Sequence, residues 1–271
     1  MICGLILASG AYPLASAWRA NRATTLRHAL VWACIAWVTW VLAFFLADFY
    51  SENAGRVARY VALCLTSCAA VAVLGARRPG VTAWNFVVLA QLAVMLLPLA
   101  EGLGDVRLDP LRLVFLGGSL VVGFLNYLPT RLAAAMVVAA IGCGLELAIL
   151  QATPEVGTLL ERVVVIGRCL LAASPWIALV VVRALPLPPA QFDRLWIGFR
   201  DRFGLVWGQR VREQFNRAVV HAGWPVVLRW RGLRAFGLID ETQRAAITAA
   251  LRALLKRFGT KGVAGEGRSM A

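Results

Sequence analysis

Two ionisable residues, Glu146 and Arg168, interrupt runs that are otherwise apolar. Charge inside such a run is costly to keep, so it marks a candidate site for a proton, an ion or a small solute. Glu146 lies five residues before Gln151, and Arg168 six after Arg162. At a helical rise of about 1.5 Å per residue, both stand roughly 7–9 Å in from the same end of consecutive helices and can pair. The alternative is structural: a fixed ion pair, or two long side chains reaching back to the interface. Asn85, Gln91 and Asn126 add polar groups to the fourth and fifth runs, where such residues hydrogen-bond between helices. With Gly117, Gly118, Gly123, Gly142 and Gly144 they point to close helix packing rather than to a transport path.

The second constellation is aromatic and basic. Trp196, Arg200, Arg202, Trp207 and Arg210 recur along a C-terminal amphipathic stretch and are predicted to contact a protein interface or anionic lipid headgroups. Other chemistries find little support. No Gly-x-Ser-x-Gly, His-Glu-x-x-His or phosphate-cradling glycine run occurs, and nothing argues for catalysis. His28 and His221 are poorly placed for haem. Cys64 and Cys68 share a helix face, but no further ligand completes a metal set, and all six cysteines read as small apolar side chains. No cofactor is predicted. Nucleic-acid binding by the arginines has no recognised motif behind it.

The elements that must position these residues follow from composition. Sixty per cent of the 271 residues are hydrophobic and 15% are charged, with a mean hydropathy of +0.73; soluble domains carry about a quarter charged residues. Seven apolar runs are predicted to cross a bilayer, near residues 2–18, 29–47, 60–76, 81–100, 113–128, 132–150 and 163–182. The first lacks a preceding basic residue and reads as a retained span rather than a cleaved signal. The turns at Arg77-Arg78-Pro79-Gly80 and Pro129-Thr130-Arg131 are too short for anything but antiparallel hairpins.

Of the formal charge of +14, most is C-terminal: from Arg183 onward there are 16 Lys and Arg against six Asp and Glu. The first, third and fifth connections carry Arg19, Arg22, Arg27, Arg77, Arg78 and Arg131 without an acid. By the positive-inside rule these connections and the basic tail are cytoplasmic and the N-terminus lies outside.

After a proline-rich linker at 185–189, residues 190–259 are predicted to form a basic cytoplasmic module, with 260–271 disordered. Apolar residues from Phe192 to Val219 recur at three- and four-residue intervals, giving a helix of about eight turns. Gly223-Trp224-Pro225 ends it, Val226–Trp230 suits a short strand, and a second helix starts at Asp240 with Gln243 completing a capping box. The fold class is thus an all-α polytopic membrane protein of about seven spans with a small, mainly helical cytoplasmic domain.

The segment Trp196-Ile197-Gly198-Phe199-Arg200-Asp201-Arg202-Phe203-Gly204-Leu205-Val206-Trp207, continuing to Arg210, Glu213, Asn216 and Gly223-Trp224, resembles the C-terminal part of uncharacterised polytopic bacterial membrane proteins. The resemblance covers the last third of the chain and implies a bacterial inner membrane, without an activity. The function expected is that of a non-catalytic, partner-binding component of a membrane complex. Alternatives are a small-solute transporter or channel subunit using Glu146 and Arg168, and a sensor signalling through the tail.

Overall fold

The computed structural model describes residues 7–77, 81–101, 108–151 and 157–259. The chain is mostly helical: α1 (Ala11–Asn21), α2 (Arg27–Phe49), α3 (Glu52–Leu74), α4 (Val81–Glu101), α5 (Pro110–Leu125), α6 (Ala133–Gln151), α7 (Gly157–Ala184) and α8 (Gln191–His221), then strands β1 (Val226–Arg229) and β2 (Gly232–Ala235), helix α9 (Glu241–Leu255) and a 3₁₀ turn, Lys256–Phe258. Among the described residues, five helices are long and apolar enough to cross a membrane: α2, α3, α4, α6 and α7. This is the architecture expected of a multi-pass, all-helical membrane protein. The fifth predicted run is a 16-residue helix, α5, about 24 Å long at the usual rise. For the first run, the described helix α1 has 11 residues; residues 2–6 of that run, like the 260–271 tail, lie outside the described residues.

The outward faces of the spans are apolar. Val31, Ile35, Val38, Leu42, Phe45 and Phe49 are exposed along one stripe of α2, and Val114, Phe115, Val121, Val122 and Leu125 on α5. A contiguous apolar surface of this extent is intolerable in water and natural against lipid tails.

Helix α3 is central and the most buried of the five, packing on α2, α4, α5 and α6. Small residues let the helices approach, since without a water-driven force between helices close backbone contact must supply the packing energy. A Cβ on Gly55 would come within 2.6 Å of Ala47 Cβ, and one on Gly142 of α6 within 2.9 Å of Leu171 Cγ. Gly123 of α5 likewise has no room for a Cβ beside Ala70, whereas Gly118 and Gly144 face open space. The polar residues in the spans make interhelical hydrogen bonds. Gln91 Nε2 donates to Ser67 Oγ at 2.7 Å, Asn85 Nδ2 lies 3.1 Å from His28 Nδ1, and Trp40 Nε1 donates to Thr66 Oγ1 at 3.0 Å. In α7, Pro175 has no N–H to offer the Leu171 carbonyl. The hydroxyl of Ser174 donates to that oxygen instead, at 3.0 Å.

The C-terminal elements form one packed unit. Strands β1 and β2 pair antiparallel around Trp230-Arg231, with Val226 opposite Ala235 and Arg229 opposite Gly232. The capping box of α9 is formed: Asp240 Oδ1 accepts from Gln243 N–H at 2.6 Å, and Asp240 N–H donates to Gln243 Oε1 at 3.4 Å. One hydrophobic cluster runs without a break from Phe192, Trp196, Phe199, Phe203, Trp207, Phe215, Ile247, Leu251 and Phe258 into Leu26, Ala29, Ala72, Val73 and Val88 of the bundle. The module and one end of the bundle therefore share a core.

Candidate functional sites: a buried charge cluster and a docked basic module

Glu146 is fully buried, and its ion-pair partner is Arg59, whose Nη1 lies 3.7 Å from Oε2. Arg168, the partner expected from depth alone, places its guanidinium over the Phe44 ring, 4.8 Å from the centroid. The difference comes from where α3 begins. A span drawn from Tyr60 leaves Arg59 in a connection, but Ser51 caps the helix eight residues earlier, its Oγ accepting from Ala54 N–H at 3.1 Å. The apolar stretch of α3 is consequently Asn53–Leu74, with Arg59 inside it. Gly167 brings α7 close: a Cβ there would meet Glu146 Oε1 and Leu145 Cβ at 3.4 Å. Arg56 of α3 donates to the Leu150 carbonyl of α6 at 3.3 Å, tying the same two helices nearer their ends. Residues of α2, α3, α6 and α7 thus meet at one buried charge cluster.

At the opposite end of the bundle, the first and fifth connections and the end of α3 all meet the C-terminal module. Thr25 N–H donates to the Phe258 carbonyl at 3.2 Å, while its hydroxyl donates to Ala76 O at 2.7 Å. Trp207 Nε1 donates to Val73 O at 3.1 Å, and Trp230 Nε1 to Pro129 O at 2.6 Å. The fifth connection makes the densest joint. Helix α8 is interrupted at Gly204, with φ 76° and ψ −165°, a conformation open essentially only to glycine. Asn126 occupies the break: its carbonyl accepts from Leu205 N–H at 2.6 Å and its Oδ1 from Val206 N–H at 3.0 Å. Its Nδ2 donates to Phe203 O at 3.4 Å. The peptide groups that lose helical partners at the kink are thereby satisfied from another element.

One turn before the kink, Asp201 binds two arginines. Arg200 donates through Nε and Nη2 to Oδ1, at 3.0 and 2.7 Å, and Arg131 donates through Nε to Oδ2. Arg131 also donates to the Leu185 carbonyl, so that one side chain fastens both the linker and α8.

The five residues expected at an interface or against lipid divide accordingly. Trp196, Arg200 and Trp207 are buried within the chain. Trp196 Nε1 and Arg200 Nη1 both bond the Trp230 carbonyl, at 3.2 and 2.8 Å. Arg202 is half-buried, and Arg210 is exposed. Helix α9 and the turn at Trp230 cover this face, as expected of a compact module, and the bundle end completes the cover. The exposed cations of the module are Arg194, Arg210, Arg217, Arg229, Arg231, Arg234, Arg244, Arg252, Lys256 and Arg257. Sequence reasoning passed over Arg59, Asp201 and Gly204; the last carried a legible signal, a glycine in the middle of a long helical pattern. No protein-family model, no curated protein and no solved structure matches the chain.

Proposed function

We propose that the chain is a non-catalytic, partner-binding component of a membrane complex. Its spans anchor in the bacterial inner membrane with the N-terminus outside, and its C-terminal module is a cytoplasmic platform for the acidic face of a protein partner. The observation that carries this reading is the shared core between module and bundle. A module tethered by a loose linker would serve as a flexible arm, whereas one fixed at Asn126, Arg131, Val73 and Thr25 presents its exposed arginines at a defined height and orientation. Fixed geometry lowers the ordering cost of association, and an excess of arginine over acid steers acidic surfaces toward it. The closed packing around Glu146 supports a structural role for that cluster.

Cross-linking in cells followed by mass spectrometry tests the reading. The variant Arg231→Glu/Arg234→Glu/Arg244→Glu reverses exposed charge without touching the shared core. Loss of a reproducible cross-linked protein in this variant, with normal membrane levels, is the expected outcome. An unchanged set of cross-linked proteins would overturn the platform reading.

A further inference from the structure

Arg77, the second half of α8, the end of α9 and the C-terminal 3₁₀ turn line a cleft of about 260 Å³. Four arginines line it, Arg77, Arg210, Arg217 and Arg257, against one carboxylate, Glu213. Among the described residues, no carboxylate forms an ion pair with any of the four. Glu213 Oε1 accepts from Gln209 Nε2 at 2.5 Å. The floor is apolar, made by Trp207, Val211 and Phe258, all buried. Arg210 lies over the Trp207 ring, 5.3 Å from its centroid, which limits the directions its guanidinium can take.

Three separate elements bring these cations together, so their mutual repulsion is a cost of the fold unless an anion shares the cleft. Guanidinium groups match phosphate oxygens in bidentate geometry. The space is several times the roughly 30 Å³ taken up by a water molecule, enough for a phosphate and the adjoining part of a headgroup. Position selects the source. Arg77 follows the last residue of the apolar helix α3 by three residues, and Trp207 is hydrogen-bonded to Val73 within that helix. The cleft therefore stands where a spanning helix leaves the bilayer, at headgroup level. We propose that it binds the phosphate of an anionic phospholipid headgroup. This rests on the placement of the module against the cytoplasmic leaflet, but not on the existence of a protein partner.

The test uses the full chain in nanodiscs of phosphatidylcholine, alone or with phosphatidylglycerol, and native mass spectrometry after release. Phosphatidylglycerol is expected to stay bound to the parent protein. Arg210→Ala/Arg257→Ala lowers retention by about tenfold, the effect of losing charge-assisted contacts, and Arg210→Lys/Arg257→Lys restores it in part. Arg231→Ala/Arg234→Ala removes equal charge outside the cleft and leaves retention unchanged. Equal loss in the cleft and control variants would reduce the effect to general surface charge and overturn the site. Retention of added inorganic phosphate in phosphatidylcholine discs, without retention of phosphatidylglycerol, would overturn the assignment to lipid. Because the platform test reverses charge outside the cleft, either idea can fail while the other stands.

Discussion

Asn126 fills the gap that Gly204 opens in α8. The carbonyl and side-chain amide of one residue take over hydrogen bonds that the kinked helix cannot make for itself. A Cβ on Gly204 would stand 2.6 Å from the Asn126 carbonyl oxygen and would have to adopt φ 76°. The pair is the joint between bundle and module.

Gly204→Ala is therefore expected to destabilise the docked state by about 2–4 kcal/mol, combining backbone strain with overpacking. Asn126→Ala strands the Val206 N–H and the Phe203 carbonyl, leaves the backbone bond to Leu205 in place, and costs about 1–3 kcal/mol. The double variant should be less destabilised than the sum of the two, because removing the amide relieves part of the clash. Thermal unfolding in detergent measures all three, and strict additivity would show that the residues do not act on each other.

Asp201 holds Arg131 and Arg200 in a site that is nearly dry, with 7% of its own side chain exposed. Asp201→Asn removes the one negative charge between two cations and is expected to cost about 3 kcal/mol. Its most direct readout is proteolysis: the 185–189 linker should be cut faster once Arg131 loses its anchor on α8. Cleavage at the parental rate would mean that the linker is held by something else.

The Glu146–Arg59 pair gives a different kind of expectation. Glu146→Ala leaves a buried guanidinium without its counter-ion, at about 3–5 kcal/mol, whereas Glu146→Leu/Arg59→Met replaces the pair with apolar groups and should recover most of the loss. Melting temperature in detergent decides the matter. A double variant no more stable than the single one would argue against a structural pair and return attention to solute binding at this cluster.

Topology can be tested at two points. A reporter joined to the C-terminus should behave as cytoplasmic, and one inserted after Glu101 as external, because the module sits on the first and fifth connections and the end of α3, and Glu101 ends α4 at the other side. Two reporters on the same side would reject the hairpin arrangement of α4 with the module.

How much of this was legible beforehand varies with the range of the interaction. Hydrophobic runs, the Asp240–Gln243 capping box and the stop at Gly223 are local patterns, each set by a few neighbouring residues. Span boundaries were less legible. Arg56 and Arg59 made the first two turns of α3 look like a connection, and only the counter-ion on α6 makes Arg59 tolerable inside the span.

By itself the sequence determined that apolar helices dominate, that the tail is basic and helical, and that Phe192 to Val219 has a buried face. Local hydrophobic periodicity carries that information. The tertiary structure decided that the ends of α2, α3 and α4 join α9 and the β1–β2 hairpin in covering that face, leaving Trp196, Arg200 and Trp207 inside. It also decided that Arg59, not Arg168, makes the ion pair with Glu146, and that Asn126 serves a helix nearly eighty residues away. Such partners come from distant parts of the chain, and the energy that selects them appears only when unpaired charges and peptide groups are buried together.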